Sequence, residues 1–201
     1  MTIDLYLASR SPRRRELLRQ IGVRHATLPV AVPEVPAVGE SPEDYVCRLA
    51  REKAQAGLEA SARAGLAERP VLGADTLGVC QGRILEKPAD AEASLKMLRA
   101  MSGATHQVLS AVALATPERV DVGLSITDVD FRLLSDEEIR AYWDTGEPRD
   151  KAGSYAIQGL GAAFVTGLRG SYSGVVGLPL EVTLPLLREF GVPWWQEPDD
   201  E

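Results

Sequence analysis

The amino-acid sequence predicts an α/β protein, and three features lead to this prediction. An apolar strand segment at residues 3–7 passes through a short polar turn into a helix start at Ser11. The same order, an apolar segment followed by a capped helix, recurs along the first half of the chain. Residues 106–115 and 120–133 then form two longer strands joined by a short turn, a pattern typical of an antiparallel hairpin with one buried face.

Composition limits the class of protein. The chain has 201 residues, of which 45% are hydrophobic and 25% charged, as in ordinary soluble globular proteins. Its net charge of -7 argues against a surface that coats nucleic acid, so cations that bind a polyanion must gather in one cleft. No apolar run is long enough to span a membrane, and no signal peptide is evident. Cys47 and Cys80 have no metal-like spacing, so we expect a cytoplasmic protein without disulfides.

The first helix is expected over residues 12–21, with Ser11 as its N-cap, a proline at its first position and Gly22 as its stop. Its first turn contains three consecutive arginines, Arg13, Arg14 and Arg15. Cations at this place oppose the helix dipole. Two interpretations stay open. The arginines form a solvated basic face, or they join the free N–H groups of the helix start in binding an anion such as phosphate.

A second strand is expected over residues 25–32, followed by a proline-punctuated loop in which Glu34 is the lone acid. A serine, a proline and two acids then begin a second helix at Ser41, which we expect to run into the low sixties. Lys53 lies on this helix. Taken alone, a helical lysine is normally a solvated surface residue.

Residues 70–76 form a short buried strand that ends in Asp75 and Thr76. A carboxylate at that place is typical of the carboxyl edge of an α/β enzyme sheet. The alternative is a helix cap or turn former, but residues 77–80 resume strand character. A Gln-Gly turn then leads into another short strand, after which a proline holds Lys87 in extended geometry.

The remaining elements follow the same local signals. We expect, in order, a helix capped by Asp90, the hairpin strands, a helix from a capping box at Ser135, a loop over 147–153, a strand over 164–168, a small-residue turn over 170–174 and a final helix over 178–190. Two adjacent tryptophans, Trp194 and Trp195, belong either to an interface or to the core. Residues 197–201 should be a frayed tail, and no clear boundary divides the single domain expected over residues 1–201.

Charged side chains of complementary kinds stand at strand ends and helix starts. Carboxylates can hold a hard divalent cation, while lysines and arginines offset and bind phosphate charge. The sequence contains no Walker A loop, serine-hydrolase elbow or zinc-binding helix, and it has only two histidines. Water activated by a carboxylate or a metal is therefore the expected nucleophile. The residues concerned are Glu34, Asp75, Lys53, Lys87, Arg13 and Arg14.

Six segments, in this order and across nearly the whole chain, resemble the Maf family of nucleoside triphosphate pyrophosphatases. They are residues 7–14, 51–54, 73–76, 86–88, 102–106 and 152–159. The resemblance implies an elongated mixed β-sheet with flanking helices in two lobes around a central cleft, similar to the inosine triphosphate pyrophosphatases. It implies hydrolysis of a nucleoside triphosphate to the monophosphate and pyrophosphate, with a divalent cation, Mg²⁺ or Mn²⁺, in a homodimer.

The same resemblance assigns roles to single residues. Asp75 matches the proton acceptor that activates water, and Ser11 and Arg14 match phosphate-binding positions. Glu34, Lys53 and Lys87 match the other polar residues of the catalytic cleft. Glu34 and Asp75 are the implied metal ligands, although the family often has further acids beside the Glu34 position, where this chain has Pro33 and Val35.

Three further positions, Arg13, Thr76 and Gln158, match those that sort the family by nucleobase. This sequence resembles the branch acting on dTTP and UTP at all three, whereas the 7-methyl-GTP branch has Trp, Gln and Glu there. A neutral Gln can both donate to and accept from a pyrimidine edge. Two alternatives stay open: the same reaction on another modified or non-standard nucleotide, and a nucleotide-binding regulator of cell division without catalysis.

Overall fold

The computed structural model describes residues 3–196, so the frayed tail expected at 197–201 lies outside the described residues. A mixed sheet of seven strands runs through the molecule in the spatial order β2-β1-β3-β5-β6-β7, with β4 paired to β3. Strand β1 is parallel to β2 and β3, and the other pairs are antiparallel. The strands are β1 (Leu5–Leu7), β2 (His25–Thr27), β3 (Val71–Cys80), β4 (Arg83–Leu85), β5 (Thr105–Ala115), β6 (Val120–Phe131) and β7 (Val165–Arg169).

Six α-helices flank this sheet within the described residues, and three short 3₁₀ turns lie between α4 and β7. The helices are α1 (Pro12–Gln20), α2 (Pro42–Arg63), α3 (Ala91–Met101), α4 (Asp136–Asp144), α5 (Tyr172–Val176) and α6 (Leu180–Glu189). The predicted N-caps are confirmed, because each of their side chains accepts a hydrogen bond from the backbone N–H three residues on. They are Ser11, Ser41, Asp90 and Ser135.

Strand β3 has an interrupted edge, and this interruption creates the cleft. On one side β3 pairs with β5 continuously from Val71 to Val79. On the other side β1 pairs with it only as far as Leu72, and β4 takes over only at Gly78. Between these two pairings, residues 73–77 have no strand partner on that side among the described residues. Side chains from both faces of β3 can therefore reach the same opening.

Helix α2 crosses one face of the sheet and touches the backbone of β3 at Gly73. A Cβ atom there would lie 2.3 Å from the Ala50 carbonyl oxygen and 2.4 Å from the Ala54 nitrogen. Only glycine permits so close an approach. Since Lys53 is in the same helical turn, this contact brings its side chain to Asp75, two residues after Gly73 on the same face of the strand.

Two hydrophobic cores lie at opposite ends of the sheet. One packs α1 and α6 against β1, β3 and β5, and its members include Leu18, Leu72 and Leu187. The other packs α3 and α4 against β5 and β6 and includes Leu98 and Phe131. The prediction of a mixed α/β sheet with flanking helices is confirmed, and the cleft opens between these two ends. No helix among the described residues is long and apolar enough to cross a lipid bilayer.

Some predicted elements were wrong in detail. Strand β2 ends at Thr27 rather than 32, since the proline-punctuated segment that follows leaves the sheet. The loop expected at 147–153 contains two 3₁₀ turns, and the turn expected at 170–174 begins the short helix α5. Strand β5 is buried on both faces from residue 108 onward, because helices cover the sheet there on both sides.

Candidate active site

A cleft of about 510 Å³ opens at the interrupted edge of β3. That volume suits a small-molecule ligand. Side chains from the start of α1, from α2, β3 and the segment 84–87, and from the two loops at residues 29–40 and 147–161 line it, and every site residue predicted from the sequence is among them. They are Ser11, Arg13, Arg14, Glu34, Lys53, Asp75, Thr76, Lys87 and Gln158.

Lys53 joins the two predicted carboxylates. Its Nζ donates to Glu34 Oε1 at 2.6 Å and to Asp75 Oδ1 at 2.7 Å. The Lys53 side chain is 12% exposed and that of Asp75 is 14% exposed. Lys53 is therefore not the solvated surface residue that its helical position alone suggests.

Glu34 is carried by a loop that α2 holds in place. Arg48 donates from Nη2 to the Val35 carbonyl at 3.1 Å and from Nε to Glu40 Oε1 at 2.7 Å. Hydrogen bonds from Arg48 and from the Ala37 N–H lower the pKa of Glu40 to about 2. The loop thus has a fixed ionic anchor next to Glu34, although it contains no regular secondary structure.

The carboxylate of Glu34 is the more exposed of the two. Burial raises its pKa, but the hydrogen bond and charge of Lys53, with the charges of Lys87 and Arg14, outweigh burial, and the pKa lies below its ordinary value. Glu34 is thus ionised at neutral pH, as a ligand for a cation must be.

The donor set fits a divalent cation that is shared with a substrate. Among the described residues, no three His, Cys, Asp or Glu side chains are close enough to hold a metal ion by themselves. Glu34 and Asp75 both reach Lys53, so they converge on one point of the cleft. Mg²⁺ typically takes one or two protein carboxylates and completes its coordination with water and substrate phosphate oxygens.

Arg14 lies on the opposite face of β3 from Lys53. Its Nε donates to the Gly177 carbonyl at 2.8 Å, Nη1 to Ser9 Oγ at 3.3 Å and Nη2 to Thr76 Oγ1 at 3.3 Å. Burial lowers the pKa of Arg14 from its high ordinary value, and the charge of Asp75 partly offsets this decrease. A solvated basic face is therefore wrong for Arg14, whereas Arg15 on the same helix is exposed.

The start of α1 completes this wall of the cleft. Ser11 Oγ accepts from the Arg14 N–H at 3.4 Å, and the Ser11 N–H donates to Ser9 Oγ at 3.1 Å. Arg13, half-buried, lines the same wall. A hydrogen bond from Lys151 lowers the pKa of Asp150 on the loop opposite, and the charge of Arg13 adds a smaller contribution. The Arg13 N–H, which no hydrogen bond within the described residues uses, the positive end of the helix dipole and two guanidinium groups together favour an anion here.

The segment that carries Gln158 is held by one half-buried carboxylate. Glu147 Oε1 accepts from Tyr142 Oη at 2.6 Å and from the Gly161 N–H at 3.0 Å, while Oε2 accepts from the Leu160 N–H at 2.9 Å. Burial raises the pKa of Glu147, but these hydrogen bonds outweigh it and the pKa is lowered. A Cβ atom at Gly159 would lie 2.1 Å from Glu147 Oε2, so a side chain there would push the carboxylate out of these hydrogen bonds.

Sequence reasoning missed two parts of the cleft. Lys151 lines it with a side chain only 16% exposed, and its Nζ donates to Asp150 Oδ1 at 2.6 Å. It stands one residue before a segment that resembles the family, a signal that was available. His106 lies behind the cleft, with Nε2 2.8 Å from Tyr155 Oη, and burial lowers its pKa to about 4. His106 is therefore neutral at physiological pH.

Known proteins resemble this chain along nearly its whole length. The family model described as "Maf-like protein" matches residues 4–190. A protein of Saccharophagus degradans named "dTTP/UTP pyrophosphatase" is 58% identical over 193 residues, which cover 96% of this chain and 91% of that protein. A protein of Shigella sonnei with the same name is 53% identical, covering 93% of each chain, and so is one of Shigella flexneri named "Nucleoside triphosphate pyrophosphatase".

Proposed function

Because this chain belongs to the Maf family, we propose that it hydrolyses nucleoside triphosphates, dTTP and UTP foremost, to the monophosphate and pyrophosphate. Such an activity removes unwanted nucleotides from the cellular pool. One observation carries the proposal: Lys53 joins two carboxylates on one face of β3, while Arg14 and a helix start occupy the other, and both faces meet in one cleft. This arrangement suits an anionic substrate that reacts with water.

The triphosphate binds along the wall formed by the start of α1. The Arg14 guanidinium and the Arg13 N–H contact phosphate oxygens, since both are donors at this wall. Lys53 and Lys87 offset the charge that builds on the phosphates during the reaction. This gathering of cations explains how a chain with a net charge of -7 binds a polyanion.

Asp75 acts as the general base. It takes a proton from a water molecule whose oxygen forms a bond to the α-phosphorus, and the bond from that phosphorus to the bridging oxygen breaks. Pyrophosphate leaves with the electron pair of the broken bond. Lys53 orients Asp75 through the 2.7 Å hydrogen bond to Oδ1, which leaves the second carboxylate oxygen to accept the proton.

Glu34 and Asp75 would hold a divalent cation, Mg²⁺ or Mn²⁺. When bound, such a cation would offset the negative charge of the triphosphate. Arg13 and Gln158 lie at the rim of the cleft, and we propose that the base is selected through them. Thr76, which the resemblance groups with these two, contacts Arg14 instead. The amide of Gln158 can both donate to and accept from a pyrimidine.

We also propose that the chain acts as one domain, since a single cleft draws residues from both ends of the sheet. Its assembly would be a homodimer. Among the described residues, strand β6 pairs with β7 only from Asp128 onward, so residues 120–126 leave a sheet edge open to a second copy, with Ile126 43% exposed. Light scattering at micromolar concentration tests this, and a monomer would refute it.

We place the enzyme in the cytoplasm, in keeping with the free thiols of Cys47 and Cys80.

The deciding experiment measures pyrophosphate release from a panel of nucleoside triphosphates with Mg²⁺ or Mn²⁺. The wild type is compared with Asp75→Asn and with Asp144→Asn, which removes an exposed carboxylate at the end of α4. We expect release from dTTP and UTP that is lost only in Asp75→Asn.

Other results would point elsewhere. Full activity of Asp75→Asn would refute its role as base, and preference for another triphosphate in direct competition would refute the pyrimidine specificity. Nucleotide binding without any release by the wild type would favour a non-catalytic regulator.

A further inference from the structure

A chain of hydrogen-bonded hydroxyl groups lies behind Arg14, on one face of the sheet. Thr76 on β3 and Ser110 on β5 are direct cross-strand partners, so their side chains point to the same face. Thr76 Oγ1 lies 2.9 Å from Ser110 Oγ and accepts from Arg14 Nη2 at 3.3 Å. Ser110 Oγ lies 2.6 Å from the carbonyl oxygen of Gly174 in α5. Ser110 is only 1% exposed and does not line the cleft.

The chemistry of the two ends fixes the direction of these hydrogen bonds. A guanidinium only donates and a carbonyl oxygen only accepts. Ser110 must therefore give its single proton to Gly174. Thr76 Oγ1 has two acceptors within reach, Ser110 Oγ at 2.9 Å and the Gly177 carbonyl oxygen at 3.5 Å, and it gives its proton to Ser110, the much nearer one. The lone pairs of Thr76 then face Arg14 Nη2. Each hydroxyl donates once and accepts once, so the chain has a single arrangement of protons.

This chain of hydroxyl groups holds Arg14 in one orientation, together with the hydrogen bonds from Nε to the Gly177 carbonyl and from Nη1 to Ser9. A guanidinium has five N–H groups, and the protein uses one on each nitrogen. One N–H on each of the two Nη atoms is left for a ligand. A fixed pair of donors of this kind matches two phosphate oxygens.

We propose that Thr76 and Ser110 are positioning residues for the phosphate-binding guanidinium of Arg14, and that Thr76 influences substrates through Arg14 rather than by touching the base. The proposal rests on the proposed function insofar as it takes the ligand of Arg14 to be the triphosphate. It adds Ser110, which no sequence signal identified. It also gives Thr76 a role different from the base selection that the resemblance implies.

The test uses inorganic tripolyphosphate, a probe without a base, whose dissociation constant is measured by calorimetry. The variants are Thr76→Val, which keeps the shape but removes the hydroxyl, Thr76→Ser, which keeps the hydroxyl, and Ser110→Ala. Ser61→Ala is the matched control, because Ser61 is also buried and donates to a carbonyl, that of Leu58 at 2.8 Å, away from the cleft.

We expect Thr76→Val and Ser110→Ala each to weaken tripolyphosphate binding about tenfold, the size of effect that a hydrogen bond to a charged group has. The same two variants should lower kcat/KM for UTP and for GTP by one common factor, leaving their ratio unchanged. Thr76→Ser and Ser61→Ala should stay close to wild type. In an Arg14→Ala background, Ser110→Ala should cause no further loss.

Two results would overturn the proposal. The first is unchanged tripolyphosphate binding in Thr76→Val together with a changed ratio of UTP to GTP, which would make Thr76 a base contact. The second is an equal loss from Ser110→Ala with and without Arg14, which would make Ser110 merely structural. If the wild type hydrolyses no nucleotide, the proposed function fails, but the binding measurements with tripolyphosphate still decide this inference.

Discussion

The contact between helix α2 and Gly73 can be tested with one added methyl group. In Gly73→Ala, the new Cβ would lie 2.3 Å from the Ala50 carbonyl oxygen and 2.4 Å from the Ala54 nitrogen. Both are backbone atoms, so no side-chain rotation can relieve the contact. The helix must move away from the sheet or the strand must bend.

The size of the effect follows from these distances. Non-bonded heavy atoms need about 3.5 Å, so α2 must retreat by roughly 1 Å. The Lys53 Nζ to Asp75 Oδ1 distance, now 2.7 Å, would then exceed the limit for a hydrogen bond. Overpacking of this kind costs about 1–3 kcal/mol of unfolding free energy. Misplacing a catalytic group by about 1 Å can lower turnover by about a hundredfold.

Urea unfolding and pyrophosphate release, measured on the same preparation, test both parts. Gly78→Ala is the control for stability, because a Cβ there would meet only the flexible Leu85 side chain, at 3.2 Å. We expect Gly73→Ala to lose more stability than Gly78→Ala and to lose most of its kcat. Wild-type stability and kcat in Gly73→Ala would refute the argument that this contact sets the position of Lys53.

Three further predictions concern the walls of the cleft. Arg48→Ala should free the loop that carries Glu34 and raise the Mn²⁺ concentration needed for half-maximal activity several-fold, and an unchanged titration would contradict this. Burial holds the pKa of His106 at about 4, so between pH 6.5 and 4 the unfolded chain binds a proton that the folded chain does not. Stability should therefore fall by about 3 kcal/mol as the pH drops through that window, and urea unfolding of His106→Phe should lack this loss. Glu147→Gln should weaken the support of the segment around Gln158 and speed amide hydrogen exchange over residues 156–161, and unchanged exchange would count against that support.

Local chemistry made the helices predictable. Each of the four helix starts at Ser11, Ser41, Asp90 and Ser135 depends on a side chain that bonds a backbone group three residues away, so a short window of sequence contains the whole interaction. The turn after β3 was predictable for a similar reason, because its conformation depends on two adjacent residues. These are Gln81 and Gly82, which both have positive φ. The first and last residues of the strands were less predictable, because they depend on which adjacent strand each segment pairs with.

The contacts within the cleft depend on distant parts of the chain. Arg14 and Gly177 are 163 positions apart, and Arg14 and Thr76 are 62 apart. The resemblance to a family brought Arg14, Lys53 and Asp75 together, but it carried no information on the hydrogen-bond partners behind them. Ser110 was missed for this reason: a serine in a buried strand has no distinguishing pattern until the register of β3 and β5 is known.

The interrupted edge of β3 also bears on how the enzyme moves. Strands β3, β5 and β6 run unbroken past the cleft, while β1 and β4, which pair with the other side of β3, stop at it. These continuous strands, rather than a flexible linker, join the two sides of the cleft. Opening the cleft wider would require twisting three hydrogen-bonded strands together. The cleft should thus be mechanically stiff, with substrate entry and product exit left to the loops at residues 29–40 and 147–161. Cutting the chain between the two ends of the sheet would sever the shared strands, so neither half should survive as a folded fragment.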